Sequence, residues 1–356
     1  MFAARLLEWY HLNKRDLPWR ETKNPYKIWL SEIILQQTRV AQGRSYYLKF
    51  IAHYPTVNDL AKASEEEVLK DWQGLGYYSR ARNLHSTAKY ISNELNNVFP
   101  NSHQEIKQLR GVGDYTSAAI ASFAFDLPYA VVDGNVYRIL SRIFGIETPI
   151  DSTLGKKEFA TLAQSLLTED QPANFNQAMM EFGAIQCTPK KPNCMVCPFS
   201  EHCYALSENA IKQLPIKEKK LKQKTKYLNY FIFETEDTII INKRDKKGIW
   251  QNLYDFPLIE SKKELNEEQI TQSTAFAKLI NQQEYKVIAV SAIRKHILSH
   301  QILMAKFIHL RLKDEKSLKK IGFEGIKKEE LIKRPIPKLI ENYLNEESNL
   351  LSLFTS

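Results

Sequence analysis

The chain has 356 residues, 43% of them hydrophobic, which is long enough for two domains with substantial cores and too apolar for general disorder. A formal charge of +9 and a pI near 9.1 suit a polyanionic partner without requiring one. The opening MFAARLLEWYHLNKRD carries charges at Arg5 and Glu8 where a signal peptide has an apolar core, and no uncharged run reaches membrane-spanning length; a soluble, intracellular protein is expected.

A first helix is expected over Phe2 to Leu12, with Leu6, Leu7, Trp9 and Tyr10 on a partly apolar face and Leu17-Pro18 breaking it. Trp19 and Arg20 then fall in a loop, where they either sandwich a base or form a surface-packed aromatic beside a solvated charge; residue type alone favours the second. Asn24-Pro25 opens a second helix, Tyr26 to Val40. Glu32 has Ile28 and Trp29 one turn before it and Leu35 and Gln36 one turn after, so its carboxyl sits on a mostly apolar face. Desolvation there raises a carboxyl pKa and keeps a proton for general acid catalysis; an ion pair with Arg20 or Arg39 is the equal alternative.

The segment DWQGLGYYSRAR, Asp71 to Arg82, reads as a glycine-spaced turn before a basic helix start. Tyr77 there either wedges between bases, with Arg80 and Arg82 on phosphates, or helps to cover the core. From Ser102 to Tyr137 the pattern is helix, tight hairpin, helix, then Asp133 at the mouth of a third helix. Ser102 with Glu105 forms a capping box, Gly111 ends the first helix, and Asp114 caps the second, whose Ser117, Ala118, Ala119 and Ala121 permit close packing. Gly111 and Gly113 leave backbone N–H groups bare where an anion is favoured, so a phosphate fits, although a glycine turn between core helices is the commoner meaning of GxG. Together with Val131-Val132-Asp133-Gly134-Asn135, the hairpin resembles the helix-hairpin-helix DNA glycosylases.

Helices continue through Gly134 to Phe144, Lys156 to Leu167 and Ala173 to Ile185, making the first 210 residues all-α. Cys187, Cys194, Cys197 and Cys203 form a C-x6-C-x2-C-x5-C array, which is metal-ligand spacing; zinc and a [4Fe–4S] cluster both take four cysteines, and spacing does not choose between them. Lys190 and Lys191 project between the first two ligands. Lys212 to Lys226, rich in lysine, reads as an interdomain linker. Strands are expected at Tyr227 to Glu234, Thr238 to Asn242, Tyr285 to Ser291 and Ile302 to Leu312, with a helical stretch near Glu267 to Asn281, hence an α+β C-terminal part. Gly248-Ile249-Trp250 and Asp255-Phe256-Pro257 resemble a Nudix fold, but no glutamate run matches the metal-binding Nudix box, and hydrolysis by that part is not expected. The expected division is 1–211 all-α (helical insert about 24–132, cysteine loop 187–203), linker 212–226, Nudix-like domain 227–346 and tail 347–356.

WLSEIILQQTRV, QGLGYYSRARNL, GVGDYTSAAI, VVDGNVYRIL, FNQAMMEFGAIQC and the cysteine array together resemble the adenine-specific mismatch DNA glycosylase family, MutY, across nearly the whole chain. The resemblance implies an N-terminal all-α helix-hairpin-helix glycosylase fold with an iron–sulfur loop, and a C-terminal Nudix-like domain that reads 8-oxoguanine. It implies a base-excision-repair enzyme that flips adenine out from opposite 8-oxoguanine or guanine in double-stranded DNA and hydrolyses its N-glycosidic bond. Glu32 would protonate the purine at N7, and Asp133 would stabilise the oxocarbenium-like sugar either electrostatically or as a covalent partner, their pKa values driven apart by apolar surroundings and backbone donors respectively. Tyr115 stands where endonuclease III has its Schiff-base lysine, implying a monofunctional enzyme, with Asn135 supporting Asp133. Trp19, Arg20 and Gln177 match adenine-pocket positions; Gln37 and Tyr77 match intercalating residues; Thr38, Leu75, Ser299 and His300 match positions near 8-oxoguanine. The cysteines match the ligands of one [4Fe–4S] cluster that shapes a phosphate-binding loop. A monomer in a bacterial cytoplasm, on the nucleoid when bound to DNA, is implied. Two departures stand out: Arg110 where the family commonly has proline, and Leu298 where an aromatic usually precedes the serine. The competing readings are an endonuclease III-like lyase and a non-enzymatic DNA-binding protein with a structural metal.

Overall fold

The computed structural model describes residues 2–218, 223–280, 283–314, 318–319 and 322–346; the expected tail and positions 219–222 of the expected linker lie outside the described residues. The chain divides into two compact units, Met1–Lys62 with Asn83–Lys220, and Ala63–Arg82 with Leu221–Ser356.

The helices in chain order are α1 (Phe2–Asn13), α2 (Pro25–Leu35), α3 (Val40–His53), α4 (Val57–Lys62), α5 (Glu65–Asp71), α6 (Ser79–Glu94), α7 (His103–Gln108), α8 (Asp114–Phe125), α9 (Gly134–Phe144), α10 (Thr153–Leu166), α11 (Pro172–Glu181) and α12 (Tyr204–Ser207). In the first unit α1, α9, α10 and α11 enclose a core of Leu6, Trp9, Ile139, Leu140, Phe159, Phe175 and Met179. The small residues of α8, Ser117, Ala118, Ala119 and Ala121, are buried as expected. Gly111 has φ +83°, and a Cβ there would lie 2.8 Å from Asn83 Cβ, so both conformation and space call for glycine at the hairpin.

Four local expectations need correcting. The helix carrying Glu32 stops at Leu35 instead of Val40, because Gln36 turns extended and Gln37 takes φ +56°. Gly113, not Asp114, is the N-cap of α8; the Asp114 carboxylate is drawn instead to Lys107 Nζ at 2.5 Å. Only half of the capping box forms: Ser102 Oγ accepts from Glu105 N–H, but the Glu105 carboxylate accepts from the serine hydroxyl at 2.7 Å. Trp19 and Arg20 lie on a 3-10 turn, Pro18–Arg20, with Trp19 buried edge-on against Tyr47.

The second unit is built on strands β1 (Lys224–Glu234), β2 (Thr238–Lys243), β3 (Tyr254–Asp255), β4 (Leu258–Ser261), β5 (Tyr285–Val290), β6 (Arg294–Ile297), β7 (Gln301–Leu312) and β8 (Glu324–Lys327). Their order is β3-β2-β1-β7-β5, with β4 on β1, β6 on β7 and β8 on β2. β1 and β7 run parallel, Tyr230 opposite Phe307, and the other pairings are antiparallel. The stretch Tyr230 to Phe233 of β1 is buried and apolar at every position, as suits a central strand covered on both faces. On one face Phe231 and Phe233 meet Phe276 and Leu279 of helix α14 (Thr274–Ile280), which follows α13 (Glu267–Thr271). On the other, Tyr230 stacks on Phe307, and Phe307 on Tyr343 of helix α15 (Lys338–Glu346). Ala63–Arg82 belongs here because α5 is tied to the strands: Glu65 accepts from Asn252, and Glu66 from Arg334 and Tyr254. Arg80 is buried, its guanidinium 5.1 Å over Trp72 and bonded to the carbonyls of Leu75 and Gly76, a structural role in place of the expected phosphate contact.

Glu234 is buried between Arg311 (2.6 Å), His309 (3.2 Å) and Lys328 (3.2 Å). Burial opposes its ionisation, but these partners outweigh burial and hold the pKa near 2. Such a carboxylate stabilises the unit fully above its unfolded value of about 4.5 and loses that contribution as pH falls toward 2. Glu234→Gln should therefore cost about 3 kcal/mol at pH 7 in denaturant titrations, with the gap to wild type shrinking as pH falls below 4. A gap independent of pH would contradict this.

Candidate active site

Asn24 caps α2 by accepting from Lys27 N–H, and Pro25 starts it, which turns the buried run Tyr26 to Ile34 inward around Glu32. The Glu32 carboxyl is 5% exposed and accepts a hydrogen bond from Tyr115 Oη of α8 at 2.9 Å. Burial pushes its pKa up to about 7; the Tyr115 hydrogen bond and the positive charge of Arg20 pull the other way, while nearby Asp133 adds to the rise. The alternative ion pair does not form with Arg20, whose Nη2 goes instead to Glu181 Oε2 at 2.7 Å.

Asp133 is the N-cap of α9. Its Oδ1 accepts from the N–H groups of Asn135 and Val136, and its Oδ2 from Asn135 Nδ2, each at 2.8 Å. These donors were expected to lower its pKa, but burial outweighs them and Arg138, and the net direction is upward. Both carboxyls thus shift the same way. Asn135 in turn accepts from Arg138 Nη2 at 2.9 Å, and Arg138 Nε donates to the Cys187 carbonyl at 2.7 Å. Gly183 permits this approach, since a Cβ there would sit 2.6 Å from Asn135 Cβ.

Glu32 and Asp133 line one cavity of about 190 Å³, together with the expected Trp19, Arg20, Tyr115, Asn135 and Gln177. Thr38, expected near 8-oxoguanine, lines it too, while neighbouring Gln37 is exposed. Sequence reasoning missed Arg15 and Glu181, which complete the wall; Glu181 lies four residues after Gln177 on α11, a spacing that puts both on one helix face. Gly111 and Gly113 are exposed, and no side chain caps α8. In the second unit Leu75, Tyr77, Ser299 and His300 line a separate cavity of about 430 Å³ with Trp250, His296 and Leu298. Tyr77, at φ +48°, is exposed and its hydroxyl hydrogen-bonds Ser299 Oγ.

The four cysteines line one small cavity with Arg142, although among the described residues no three His, Cys, Asp or Glu side chains gather to hold a single metal ion. Four thiols that line a common space without converging on one point suit a polynuclear cluster better than one zinc ion. Burial pushes the Cys197 thiol up to about 11, so ligation has to displace its proton. Buried Arg142 donates to the carbonyls of Thr188, Pro189, Ile211 and Leu214 and approaches Cys187 Sγ at 3.5 Å. Lys190 and Lys191 are exposed on the same loop.

Two carboxyls on one cavity and four cysteines around another, in a helical unit that carries a glycine hairpin, mark a helix-hairpin-helix base-excision glycosylase. Family models agree: residues 30–164 match the HhH-GPD superfamily of base excision DNA repair proteins, 187–203 the iron–sulfur binding domain of endonuclease III, and 229–346 a NUDIX domain. The chain is 38% identical to an adenine DNA glycosylase of Buchnera aphidicola subsp. Baizongia pistaciae over 72% of its length and 73% of that protein. It is 32% identical to the adenine DNA glycosylase of Buchnera aphidicola subsp. Acyrthosiphon pisum over 96% of this chain and 97% of that one, and 44% identical to the human one over 60% and 41%. A solved thermostable thymine-DNA glycosylase superposes with TM-score 0.54 at 33% identity, covering 58% of this chain and 95% of that one. A trapped endonuclease III–DNA intermediate, TM-score 0.51 at 21% identity over 58% and 94%, shares the fold. The chain belongs to the adenine DNA glycosylase family, the MutY family, and is a base-excision DNA glycosylase with a [4Fe–4S]-binding loop. No helix among the described residues is long and apolar enough to cross a membrane.

Because the folded pKa of Glu32 lies near 7 and its unfolded value near 4.5, the buried carboxyl costs nothing below about pH 4.5 and its full penalty above about 7. Glu32→Gln, neutral at every pH and still an acceptor for Tyr115, should stabilise the protein by about 3 kcal/mol at pH 8 and scarcely at pH 4.5. Thermal melts of the two proteins at both pH values check this, and an equal effect at both would contradict it.

Proposed function

We propose that the enzyme excises adenine paired with 8-oxoguanine or guanine in double-stranded DNA, by hydrolysis alone, leaving an abasic site. The observation that carries this reading is the buried, Tyr115-bonded Glu32 carboxyl facing the same cavity as Asp133. With its pKa raised to about 7, Glu32 still holds a proton in a large share of molecules at neutral pH and gives it to N7 of the flipped adenine; the glycosidic bond breaks, and the base leaves neutral. Asp133, held as an acceptor by Asn135 and Val136, stabilises the positive charge at C1′ until water adds there and passes a proton to the Glu32 carboxylate, restoring the acid. Trp19, Arg20 and Gln177 hold the adenine, and Gln37 and Tyr77 fill the stack it leaves. Thr38, Leu75, Ser299 and His300 approach the opposite base.

Among the described residues no lysine lines the cavity, which supports hydrolysis without a Schiff base. The bare amides of Gly111 and Gly113, with Lys190 and Lys191, bind phosphates. Cys187, Cys194, Cys197 and Cys203 hold the cluster, which fixes the shape of the lysine-bearing loop. The enzyme works as a monomer in a bacterial cytoplasm, on the nucleoid when bound to DNA.

Single-turnover base release from 8-oxoguanine:A, G:A and T:A duplexes tests this reading. Wild type should release adenine from the first two only, faster below pH 7 than above it; Glu32→Gln should release none, and borohydride should trap no adduct. A strong adduct with loss of oxidised pyrimidines would replace the reading with a lyase.

A further inference from the structure

Arg15, on the stretch after α1, and Arg20, on the 3-10 turn, both line the cavity that holds Glu32 and Asp133. What holds them is Glu181, at the last position of α11 and 1% exposed. Its Oε1 accepts from the backbone N–H and Nε of Arg15 at 2.9 and 2.7 Å; its Oε2 accepts from Nη2 of Arg15 and of Arg20, both at 2.7 Å. Arg20 Nη1 donates to the Arg15 carbonyl at 3.0 Å, closing the group on itself. We propose that Glu181 is a positioning residue for the reaction: it fixes Arg15 and Arg20 at the cavity wall and cancels one of their two charges next to Glu32. The inference rests on the reading of Glu32 as the acid.

Charge balance gives the reason. The charged and titratable groups facing this cavity are Glu32 on α2, Tyr115 on α8, Asp133 at the start of α9, Glu181 on α11, and Arg15 and Arg20; Tyr10 of α1 and Arg138 of α9 stand just behind Gln177 and Asn135. With Glu32 protonated, the two arginines are matched by Glu181 and Asp133, and the cavity is neutral. Without the Glu181 charge the site would hold an excess cation, which favours the Glu32 carboxylate over its acid form. Burial of Glu181 is tolerated because two bidentate-capable guanidinium groups and a backbone amide occupy its oxygens, and these partners, against the effect of burial, keep it ionised with a pKa near 2. Arginine's fork is what allows one carboxylate to organise both side chains.

The test compares wild type, Glu181→Gln and Glu181→Asp. Glutamine keeps the shape and loses the charge; aspartate keeps the charge with a shorter reach. The acid form of Glu32 is active, so rate falls as pH rises through its pKa, and loss of the Glu181 charge should move that falling limb to lower pH. The readout is single-turnover adenine release across pH 5.5 to 9, expecting a shift of roughly half a pH unit or more for Glu181→Gln and a limb close to wild type for Glu181→Asp. In parallel, carboxyl-carbon NMR of the DNA-free protein follows the Glu32 titration directly, assigned by its loss in Glu32→Gln. This second measurement stands whether or not adenine is the base released, so failure of the substrate reading and failure of this one are separable. A uniform drop in rate with an unmoved limb and an unmoved Glu32 titration would overturn the proposal and leave Glu181 as a purely structural ion pair. Should Glu181→Gln not fold, Arg20→Gln tests the same balance from the other side, and the proposal then requires the Glu32 titration to move upward.

Discussion

Asp133→Asn should slow single-turnover base release by about 10²- to 10³-fold, the usual consequence of removing one electrostatic stabiliser from a transition state, while mismatched duplex still binds within about threefold of wild type. Asparagine is as good an N-cap as aspartate, so its amide oxygen goes on accepting from Asn135 and Val136 and α9 keeps its start. What disappears is the negative charge that balances the developing cation at C1′, together with the Oδ2 acceptor of Asn135 Nδ2. Asp133→Ala provides the contrast, because it also leaves two amides without their acceptor and should cost about 1 kcal/mol of stability that asparagine spares. Filter binding beside quenched single-turnover assays separates the two effects. Equal losses of binding and turnover in Asp133→Asn would point to a DNA-binding protein whose aspartate only shapes the hairpin region.

The second large effect is expected at Arg142. Its guanidinium is 3% exposed and satisfies the carbonyls of Thr188, Pro189, Ile211 and Leu214 at once, directly behind the cysteine loop. Arg142→Ala would strand these acceptors, each worth about 1–3 kcal/mol when buried and unpaired, a total on the scale of the whole stability of a domain. The loop geometry that brings the four cysteines around one cavity would go with them. Arg142→Lys should fail nearly as badly, since a single ammonium cannot reach carbonyls in a planar fork. Iron and acid-labile sulfide content of purified protein, read against its circular dichroism, tests this: cluster loading should collapse in both variants. Full loading in Arg142→Lys would show that point charge, and not the fork, holds the loop.

Arg138 shows where such reasoning has to leave the sequence. Its position one turn into α9 marks it as buried in an amphipathic helix, yet nothing local shows that it joins Asn135, and through it Asp133, to the carbonyl of a cluster ligand 49 residues away. Glu181 is a similar case. FNQAMMEFG offers a glutamate on the same face as Gln177, but its partners Arg15 and Arg20 come from positions 166 and 161 residues earlier.

Local chemistry alone determined the parts whose physics is local. The apolar face around Glu32 follows from helical spacing; the Asp133 cap and the Gly111 turn follow from residues within four positions; the cysteine array announces metal ligation through thiol chemistry that has few other uses. Tertiary structure decided what depends on distance and on balance between opposing effects. The pKa of Asp133 goes up and not down because burial, set by the packing of several helices, exceeds the three hydrogen bonds that its own cap supplies. Glu32 forms no direct ion pair with Arg20, because a distant acid takes that arginine first. Ala63–Arg82 groups with the strands because Glu65 and Glu66 find Asn252, Tyr254 and Arg334 there, partners that only the folded chain brings within reach. Short strands such as Tyr254–Asp255 carry too few residues for a period of two to show, and exist because a neighbouring strand supplies their hydrogen bonds.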